Sequence, residues 1–230
     1  MLQVKNLHAW YGESHVLHGV DLEVNKGELV TILGRNGAGK TTTLLALMGI
    51  MQRREGSVVF DGQETIGLAD HRIPRLGIAL CPEERAIFKS LSVTENLMLP
   101  PVIAPGGFSV EEIYQLFPTL RERAGSSGGN LSGGEQQMLA VARILRTGAR
   151  LLLLDEPTEG LAPVIVQQIA AAIRQLKQRG FTIVLVEQNF HFASRVADRL
   201  YVMDHGVVVD HLTSAEAAAQ PARIKQRLGV

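Results

Sequence analysis

The sequence has a single cysteine and no excess of either charge. Because Cys81 stands alone among 230 residues, an internal disulfide and a cysteine-rich metal site are excluded, and a reducing compartment suits the chain. Lysine plus arginine and aspartate plus glutamate each number 23, so the whole chain has no field that attracts nucleic acid or anionic lipid. We therefore expect no nucleic-acid partner, unless a local basic patch forms. For Cys81, core packing and a reactive thiol both stay open.

Long apolar runs and a targeting leader are also missing. No stretch approaches the roughly 18 apolar residues that a membrane-spanning helix needs. The N-terminus lacks the basic and then apolar order of a leader sequence. We expect a soluble chain, so that any membrane role comes through partners.

Short apolar runs alternate with helical patterns along the chain. The runs GIALC, LLLLD and TIVLV are typical of strands that are buried on both faces of a parallel sheet. Between them lie the helical patterns EEIYQLFPTLRER, EQQMLAVARILR and VIVQQIAAAIRQLKQRG. This alternation predicts an α/β fold with a mostly parallel core sheet. The length and the 46% hydrophobic content fit one domain over residues 1–230.

Two further regions complete the predicted architecture. The alternating segments LQVKNLHA and VLHGVDLEV at the N-terminus predict strands of an antiparallel β-subdomain. Glycine-rich segments at residues 104–109 and 125–130 punctuate a helical insertion, which we expect to form a lobe over about 84–146.

The segment GRNGAGKTT, Gly34 to Thr42, fits the pattern G-x-x-x-x-G-K-[ST]. It follows a predicted strand and opens a helical pattern, which is the context of a P-loop NTPase. Backbone N–H groups of such a loop wrap phosphates, Lys40 adds a positive charge, and Thr41 can ligate Mg²⁺. The alternative is a glycine-rich turn that caps a helix. The predicted nucleotide-binding residues here are Gly34, Asn36, Gly37, Ala38, Gly39, Lys40, Thr41 and Thr42.

The segment LLLLDEP places two carboxylates at the tip of a buried strand, where open α/β sheets bind ligands. Asp155 is the candidate that holds Mg²⁺ through its water shell, and Glu156 can orient or deprotonate an attacking water. The alternative is a pair of charges at a helix N-terminus before Pro157.

The segment LSGGEQQ has the form of a helix start, with Ser132 as N-cap and Glu135 three residues later. That role alone accounts for the pattern. Gly133 and Gly134, however, also expose the helix N-terminus to a phosphate. A second anion cradle in a chain that already has one indicates that a nucleotide is shared between two copies.

The three motifs, in this order and spacing, strongly resemble those of the ATP-binding subunits of ABC transporters over essentially the whole chain. The forms YGESHVL, CPEERAIF, DEPTEGLAP and VEQNF most resemble the short ATPase subunits of branched-chain amino acid importers and their urea or amide relatives. The resemblance implies an ABC-type Mg²⁺-dependent ATPase on the cytoplasmic face of the membrane. Its implied partners are membrane-spanning permease subunits, a second ATPase subunit of the same or a similar chain and, indirectly, a solute-binding protein.

The same resemblance implies the geometry of the site. Each ATP lies between Lys40 of one subunit and the 132–134 segment of the other. Tyr11 falls where the family stacks an aromatic residue on adenine, with Trp10 as the neighbouring candidate. The apolar segment Leu97 to Pro105 matches the place where the family receives a coupling helix of the membrane subunit.

Three positions depart from the family pattern. Glu83 stands where most of these ATPases carry a glutamine that touches Mg²⁺, and a carboxylate is the stronger ligand. Ala162 stands where an aspartate is usual. Gln188 stands where the wider family has a histidine; its amide can donate a hydrogen bond to the γ-phosphate but cannot be charged. For Gln188 the alternative is a polar strand end that faces water.

Other functional classes stay open beside the importer of branched-chain amino acids. One alternative is an ATPase for urea or short-chain amide import, and another is a non-transport ATP clamp such as a DNA-repair head. The clamp typically has a long heptad insertion before LSGGEQQ or a basic face; here the segment before LSGGEQQ is short and lacks sustained heptads, and the net charge is zero. A third alternative is a simple P-loop kinase, and the second anion cradle at LSGGEQQ argues against it. The residues do not identify the solute, and they do not show whether the two ATPase chains of the pair are identical.

Overall fold

The computed structural model describes residues 1–228; residues 229 and 230 of the predicted domain lie outside them. The strands are β1 (Leu2–Tyr11), β2 (Ser14–Val24), β3 (Leu29–Leu33), β4 (Arg53–Phe60), β5 (Gln63–Glu64), β6 (Ile78–Cys81), β7 (Leu151–Asp155), β8 (Thr182–Glu187), β9 (Arg199–Asp204) and β10 (Val207–Thr213). The helices are α1 (Lys40–Leu47), α2 (Val93–Met98), α3 (Val110–Leu116), α4 (Pro118–Glu122), α5 (Gly133–Leu145), α6 (Pro163–Gln178), α7 (Phe190–Val196), α8 (Ser214–Ala219) and α9 (Pro221–Leu228).

Two sheets organise these elements. The first is antiparallel, with strand order β2-β1-β4-β5. The second has the order β10-β9-β3-β8-β7-β6, in which all neighbours are parallel except β10 and β9. The predicted α/β class, with an N-terminal antiparallel subdomain and a mostly parallel core sheet, is confirmed.

Strands β3, β7 and β8 are buried along their whole length. Their side chains alternate between two hydrophobic clusters, because successive residues of a strand point to opposite faces. Leu152 and Leu185 pack with α5 and α6 on one face, and Leu153 and Val184 pack with α1 and the antiparallel sheet on the other. Both faces are therefore covered, as the continuous apolar runs predict.

Helices α2 to α5 form an insertion between β6 and β7. Serine N-caps with a glutamate three residues later begin α2, α3 and α5. The helical pattern over residues 111–123 is not one helix: it breaks at Phe117, because the residue before a proline avoids helical dihedrals. Pro118 then starts α4, where its missing N–H costs nothing.

The parallel order brings the C-terminal ends of β3, β7 and β8 to one edge of the core sheet. The phosphate-loop motif follows β3, Asp155 ends β7, and Glu187 ends β8. Between residues 1 and 228, no helix is long and apolar enough to cross a membrane.

Candidate phosphate-binding site

A cavity of about 410 Å³ opens at this edge of the core sheet. Its lining residues are Tyr11, Val16, Asn36, Gly37, Gly39, Lys40, Thr41, Thr42, Glu83, Glu156 and Glu159. A larger groove of about 740 Å³ lies against β2 and β9, and none of the predicted site residues lines it. The chemistry that the motifs predict is therefore gathered in the smaller cavity.

The phosphate loop wraps from β3 into α1. Gly39 caps α1 with a φ of 103°, in the left-handed region that favours glycine. A Cβ atom at Gly34 would lie 2.6 Å from the carbonyl oxygen of Met203, so only glycine fits that position as well. Ala38 is tied down on both sides, since its N–H donates to Arg35 O at 3.1 Å and its carbonyl accepts from Gly206 N at 2.9 Å. Backbone hydrogen bonds and close packing therefore fix the loop on the side that faces away from the cavity.

The front of the loop offers donors. Among the described residues, the backbone N–H groups of Lys40, Thr41 and Thr42 donate to no carbonyl, whereas that of Thr43 donates to Gly39 O at 2.9 Å. These are the orphan donors of the first helical turn, and the positive end of the helix dipole lies with them. Such an arrangement binds phosphate.

The ammonium of Lys40 lies inside the cavity wall. Its Nζ contacts Glu156 Oε1 at 2.9 Å and donates to Arg35 O at 3.0 Å. The side chains of Lys40 and Glu156 are only 4% and 8% exposed. The predicted phosphate cation and the predicted water-activating carboxylate are thus a buried ion pair.

Thr41 and Asp155 present oxygens at one place. Thr41 Oγ1 donates to Asp155 Oδ1 at 3.1 Å. Burial raises the pKa of Asp155 to about 6, the Thr41 hydrogen bond opposes this shift, and the charges of Glu156 and Glu83 add to it. Hydroxyl and carboxylate oxygens under an excess of negative charge fit a hard cation such as Mg²⁺. Glu83 is exposed and lines the same cavity, so it can join this oxygen set.

Glu156 has an unusual backbone conformation. Its φ is 43°, a region that costs a residue with a side chain about 1–2 kcal/mol. Its N–H donates to Val186 O at 3.0 Å, and its carbonyl accepts from Glu159 N at 3.1 Å. These bonds hold the strained residue and direct its carboxylate to Lys40. Glu159, which the motifs did not single out, also lines the cavity. Its pKa is raised, chiefly by desolvation and further by the negative charges of Glu156 and Glu83.

The three polar residues at the end of β8, residues 187–189, have different surroundings. Glu187 is buried, and its Oε1 accepts from Thr158 Oγ1 at 2.8 Å. Burial raises the pKa of Glu187 to about 7, against the lowering effect of that hydrogen bond. Asn189 caps α7 by accepting from Phe192 N at 3.1 Å. Gln188 is exposed at the bend after the strand and is not part of the cavity lining.

The two aromatic candidates have different surroundings. Tyr11 is 51% exposed and lines the cavity. Trp10 instead stacks on His15, with ring centroids 4.2 Å apart, and Arg53 lies over its ring at 4.2 Å. Tyr11 is therefore the aromatic ring that is free to meet a base.

The residues of the second cradle lie outside the cavity lining. Ser132 caps α5, and its N–H donates to Glu135 Oε2 at 2.7 Å in the expected capping box. Ser132 and Gly133 are exposed, whereas Gly134 is buried with a Cβ position 2.8 Å from Ile165. Gly34, Ala38 and Asp155 are not lining residues either, but Gly34 and Ala38 belong to the phosphate loop and Asp155 accepts a hydrogen bond from Thr41. The structure thus brings together the predicted site residues other than Gln188 and residues 132–134.

An apolar groove of about 420 Å³ lies beside the insertion. Its lining includes Ile50, Pro100, Pro101 and Ile103, with Arg143 at its side. Ile50 is 50% exposed. Part of the predicted docking segment, residues 97–105, therefore lines a real groove.

The chain is similar to known proteins. A family model described as "ABC transporter" matches residues 17–159. The high-affinity branched-chain amino acid transport ATP-binding protein BraG of Pseudomonas aeruginosa is 45% identical, with 96% of each chain covered. The probable branched-chain amino acid transport ATP-binding protein LivF of Archaeoglobus fulgidus is 37% identical, covering 94% of this chain and 93% of the relative. A solved dimeric ATP-binding cassette, in a post-hydrolysis state with ADP and Pi, is 26% identical with a TM-score of 0.82 and covers 93% of this chain and 99% of that chain.

Proposed function

Because the chain belongs to the ABC transporter family, we propose that it is the ATP-hydrolysing subunit of an importer whose solute is a branched-chain amino acid. One observation carries the ATPase assignment. A single cavity combines the Lys40 ammonium, the Glu156 carboxylate, the hydroxyl of Thr41, which is bonded to Asp155, and helix N-terminal amides that have no carbonyl partner among residues 1–228. That set contains the parts that phosphoryl transfer to water requires.

In this proposal the roles of the cavity residues follow from their contacts, whereas the role of Gln188, which lies outside the cavity lining, rests on the resemblance of the VEQNF segment to the family. The loop amides and Lys40 bind the β- and γ-phosphates of ATP, and Thr41 with Asp155 holds Mg²⁺, which Glu83 can help to ligate. When bound, the cation neutralises charge on the phosphates. Glu156 orients the attacking water and accepts its proton. Tyr11 stacks on the adenine, and Gln188 donates a hydrogen bond to the γ-phosphate.

The working unit needs two ATPase chains. Ser132, Gly133 and Gly134 form a helix N-terminus outside this chain's own cavity, so in our proposal they complete the site of the partner ATPase. The dimeric form of the solved cassette supports this arrangement. The partner is a second copy or a similar chain.

The membrane partners dock on the apolar groove beside the insertion. A groove lined by proline and isoleucine suits an apolar helix of a permease subunit. In this proposal the chain is a peripheral subunit on the cytoplasmic face of the membrane, and a solute-binding protein acts on it only indirectly. The solute class is supported by BraG and LivF.

The first test is Mg²⁺-dependent ATP hydrolysis by the purified chain over a range of protein concentrations, with Gln188→Ala in parallel. A total rate of ATP hydrolysis that rises with the square of the protein concentration supports a homodimer. Hydrolysis that needs a similar second chain supports a heterodimer. Absence of hydrolysis in the reconstituted complex with permease and partner contradicts the ATPase assignment.

The second test is solute uptake in cells that lack the gene and are complemented with it. Restored uptake of radiolabelled leucine, but not of urea, is expected. If only uptake of urea or a short-chain amide is restored, the solute assignment is wrong, whereas the ATPase assignment still holds.

A further inference from the structure

A buried carboxylate lies just behind the cavity. Glu187 is 2% exposed and is not among the residues that line the cavity. Its Oε1 accepts from Thr158 Oγ1 at 2.8 Å, and Thr158 is itself buried. Burying a carboxylate is unfavourable, and an apolar residue would continue the buried strand without that cost. The residue therefore needs a reason beyond packing.

Glu187 connects three segments of the site. Its carbonyl accepts from Gly34 N at 3.3 Å, where the phosphate loop begins. Its carboxylate binds Thr158, two residues after Glu156. Its Oε2 lies 3.5 Å from the N–H of Asn189, next to Gln188. The phosphate loop, the turn that carries Glu156 and the turn that carries Gln188 thus meet at one residue.

We propose that Glu187 is a positioning residue for hydrolysis, acting through its hydrogen bond with Thr158. This inference rests on the proposed ATPase function. The bond holds the turn that carries Glu156 against the turn that carries Gln188. The relative positions of the carboxylate that activates water and the amide that contacts the γ-phosphate must be held precisely, because a misplacement of about 1 Å can cost about 10²-fold in rate.

The backbone at Glu156 makes this anchor necessary. With a φ of 43°, Glu156 is in a conformation that residues with side chains disfavour, and it persists only where the surroundings hold it. Two backbone bonds hold it, from Glu156 N to Val186 O at 3.0 Å and from Glu159 N to Glu156 O at 3.1 Å. The Thr158–Glu187 bond is the side-chain bond that ties the same turn to β8. Without it, the turn can relax and carry the Glu156 carboxylate away from the water.

The role requires an acceptor and not a charge. Thr158 donates its hydroxyl proton, and an amide oxygen in the same place accepts it equally well. Glu187→Gln is therefore expected to keep most of the activity. Glu187→Ala and Thr158→Val each remove the bond, from opposite sides.

The experiment compares kcat and ATP affinity for these variants in the form of the protein that hydrolyses ATP. Glu187→Ala and Thr158→Val are expected to lower kcat roughly tenfold to hundredfold, since small misplacements near the reacting atoms have effects of that size. ATP affinity is expected to stay within about twofold, because neither side chain lines the cavity. Thr158→Ser, which keeps the hydroxyl, is expected to restore kcat.

Thr182→Val is the matched control. Thr182 is buried at the other end of β8, and its Oγ1 accepts from Gly27 N at 2.9 Å. The control makes the same Thr→Val change at a buried position of the strand that carries Glu187, so it is expected to lower stability and leave kcat unchanged. The double variant Glu187→Ala with Thr158→Val is expected to be no slower than the worse single variant.

The outcomes separate this inference from the proposed function. If the wild-type complex does not hydrolyse ATP, the proposed function fails. If the wild type hydrolyses ATP and either Glu187→Ala or Thr158→Val keeps a normal kcat, only the inference fails. An equal fall of kcat in Thr182→Val would also overturn it, because the effect would then be one of general stability.

Discussion

The ammonium of Lys40 and the carboxylate of Glu156 form an ion pair at 2.9 Å, and less than a tenth of either side chain is exposed. One residue comes from the phosphate loop and the other from the tip of β7. Removing one partner of such a pair leaves an uncompensated buried charge. Phosphate oxygens that bind Lys40 compete with Glu156 for it. We therefore expect ATP binding and the release of the Glu156 carboxylate to be coupled.

Glu156→Gln is expected to slow hydrolysis by about 10²–10⁴-fold, because an amide cannot accept the proton of water. ATP binding is expected to be at least as tight as in the wild type, since the charge of Lys40 is no longer neutralised. Single-turnover hydrolysis and equilibrium binding of ATP measure the two effects. Size-exclusion chromatography with ATP is expected to show a trapped dimer.

Glu159→Gln is the matched control for that variant, because it makes the same change of charge within the same cavity. Its effect on hydrolysis is expected to be less than tenfold. Normal turnover of Glu156→Gln would remove Glu156 from its role, and equal losses in both variants would assign the effect to cavity charge alone.

The core sheet could be predicted from sequence because its strands are continuous apolar runs. The antiparallel pair β9 and β10 was not predicted, although its signal is present. The runs RLYVMD and VVVDHLT flank His205 and Gly206, whose φ values of 45° and 77° suit a two-residue hairpin turn. The turn was missed because it has histidine before the glycine, whereas asparagine is the residue typical of that position.

The predicted site residues came from motifs, but their contacts did not. Motifs specify which side chains a site contains, whereas the Lys40–Glu156 pair depends on the register between a loop and a strand that are 116 residues apart in sequence. The hydrogen bond between Thr158 and Glu187 also could not be predicted from the spacing of residues in the sequence. The resemblance favoured Tyr11 over Trp10, but the physical difference between them, the His15 ring and the Arg53 guanidinium packed on Trp10, could be seen only in the structure.

Tyr11→Ala is expected to weaken ATP binding by about 1–2 kcal/mol, or roughly 5- to 30-fold, through the loss of adenine stacking. Trp10→Ala is the control, since its ring packs on His15 and not in the cavity. Isothermal titration of both variants with ATP and with triphosphate alone checks the assignment. A Tyr11→Ala variant that loses equal affinity for both ligands would contradict stacking.

Cys81 is expected to be inert in the native chain. Its side chain is 1% exposed, and burial raises the pKa of its thiol to about 12. At pH 8 very little thiolate forms, and the thiolate is the reactive species. Labelling with a maleimide is expected only after denaturation, as mass spectrometry would show. Rapid labelling of the native chain would restore the reactive-thiol hypothesis.

Ile50→Asp is expected to uncouple the chain from its membrane partner, because it places a charge in the apolar groove. Hydrolysis by the free chain is expected to stay normal, whereas co-purification with the permease subunits is lost. Gln178→Asp is the control, since it adds the same charge at the exposed end of α6. Retained co-purification of Ile50→Asp would move the docking site elsewhere.

Glu187 is expected to make stability depend on pH. Its pKa is about 7 in the folded chain, against an ordinary value of 4.5. Below pH 4.5 the carboxyl is protonated in both the folded and the unfolded chain, and it has no effect. Between pH 4.5 and 7 the folded chain keeps a proton that the unfolded chain releases. The free energy of unfolding therefore falls as pH rises through this window.

A glutamine at position 187 cannot titrate, so Glu187→Gln is expected to gain stability relative to the wild type as pH rises. Between pH 5 and pH 8 the difference in free energy of unfolding is expected to change by about 2–3 kcal/mol in favour of the variant. Urea denaturation of both proteins at the two pH values measures it. Thr182→Val removes no titrating group, so its difference from the wild type is expected to be the same at both pH values. A constant difference for Glu187→Gln would mean that the carboxyl titrates normally and that its burial is relieved by water.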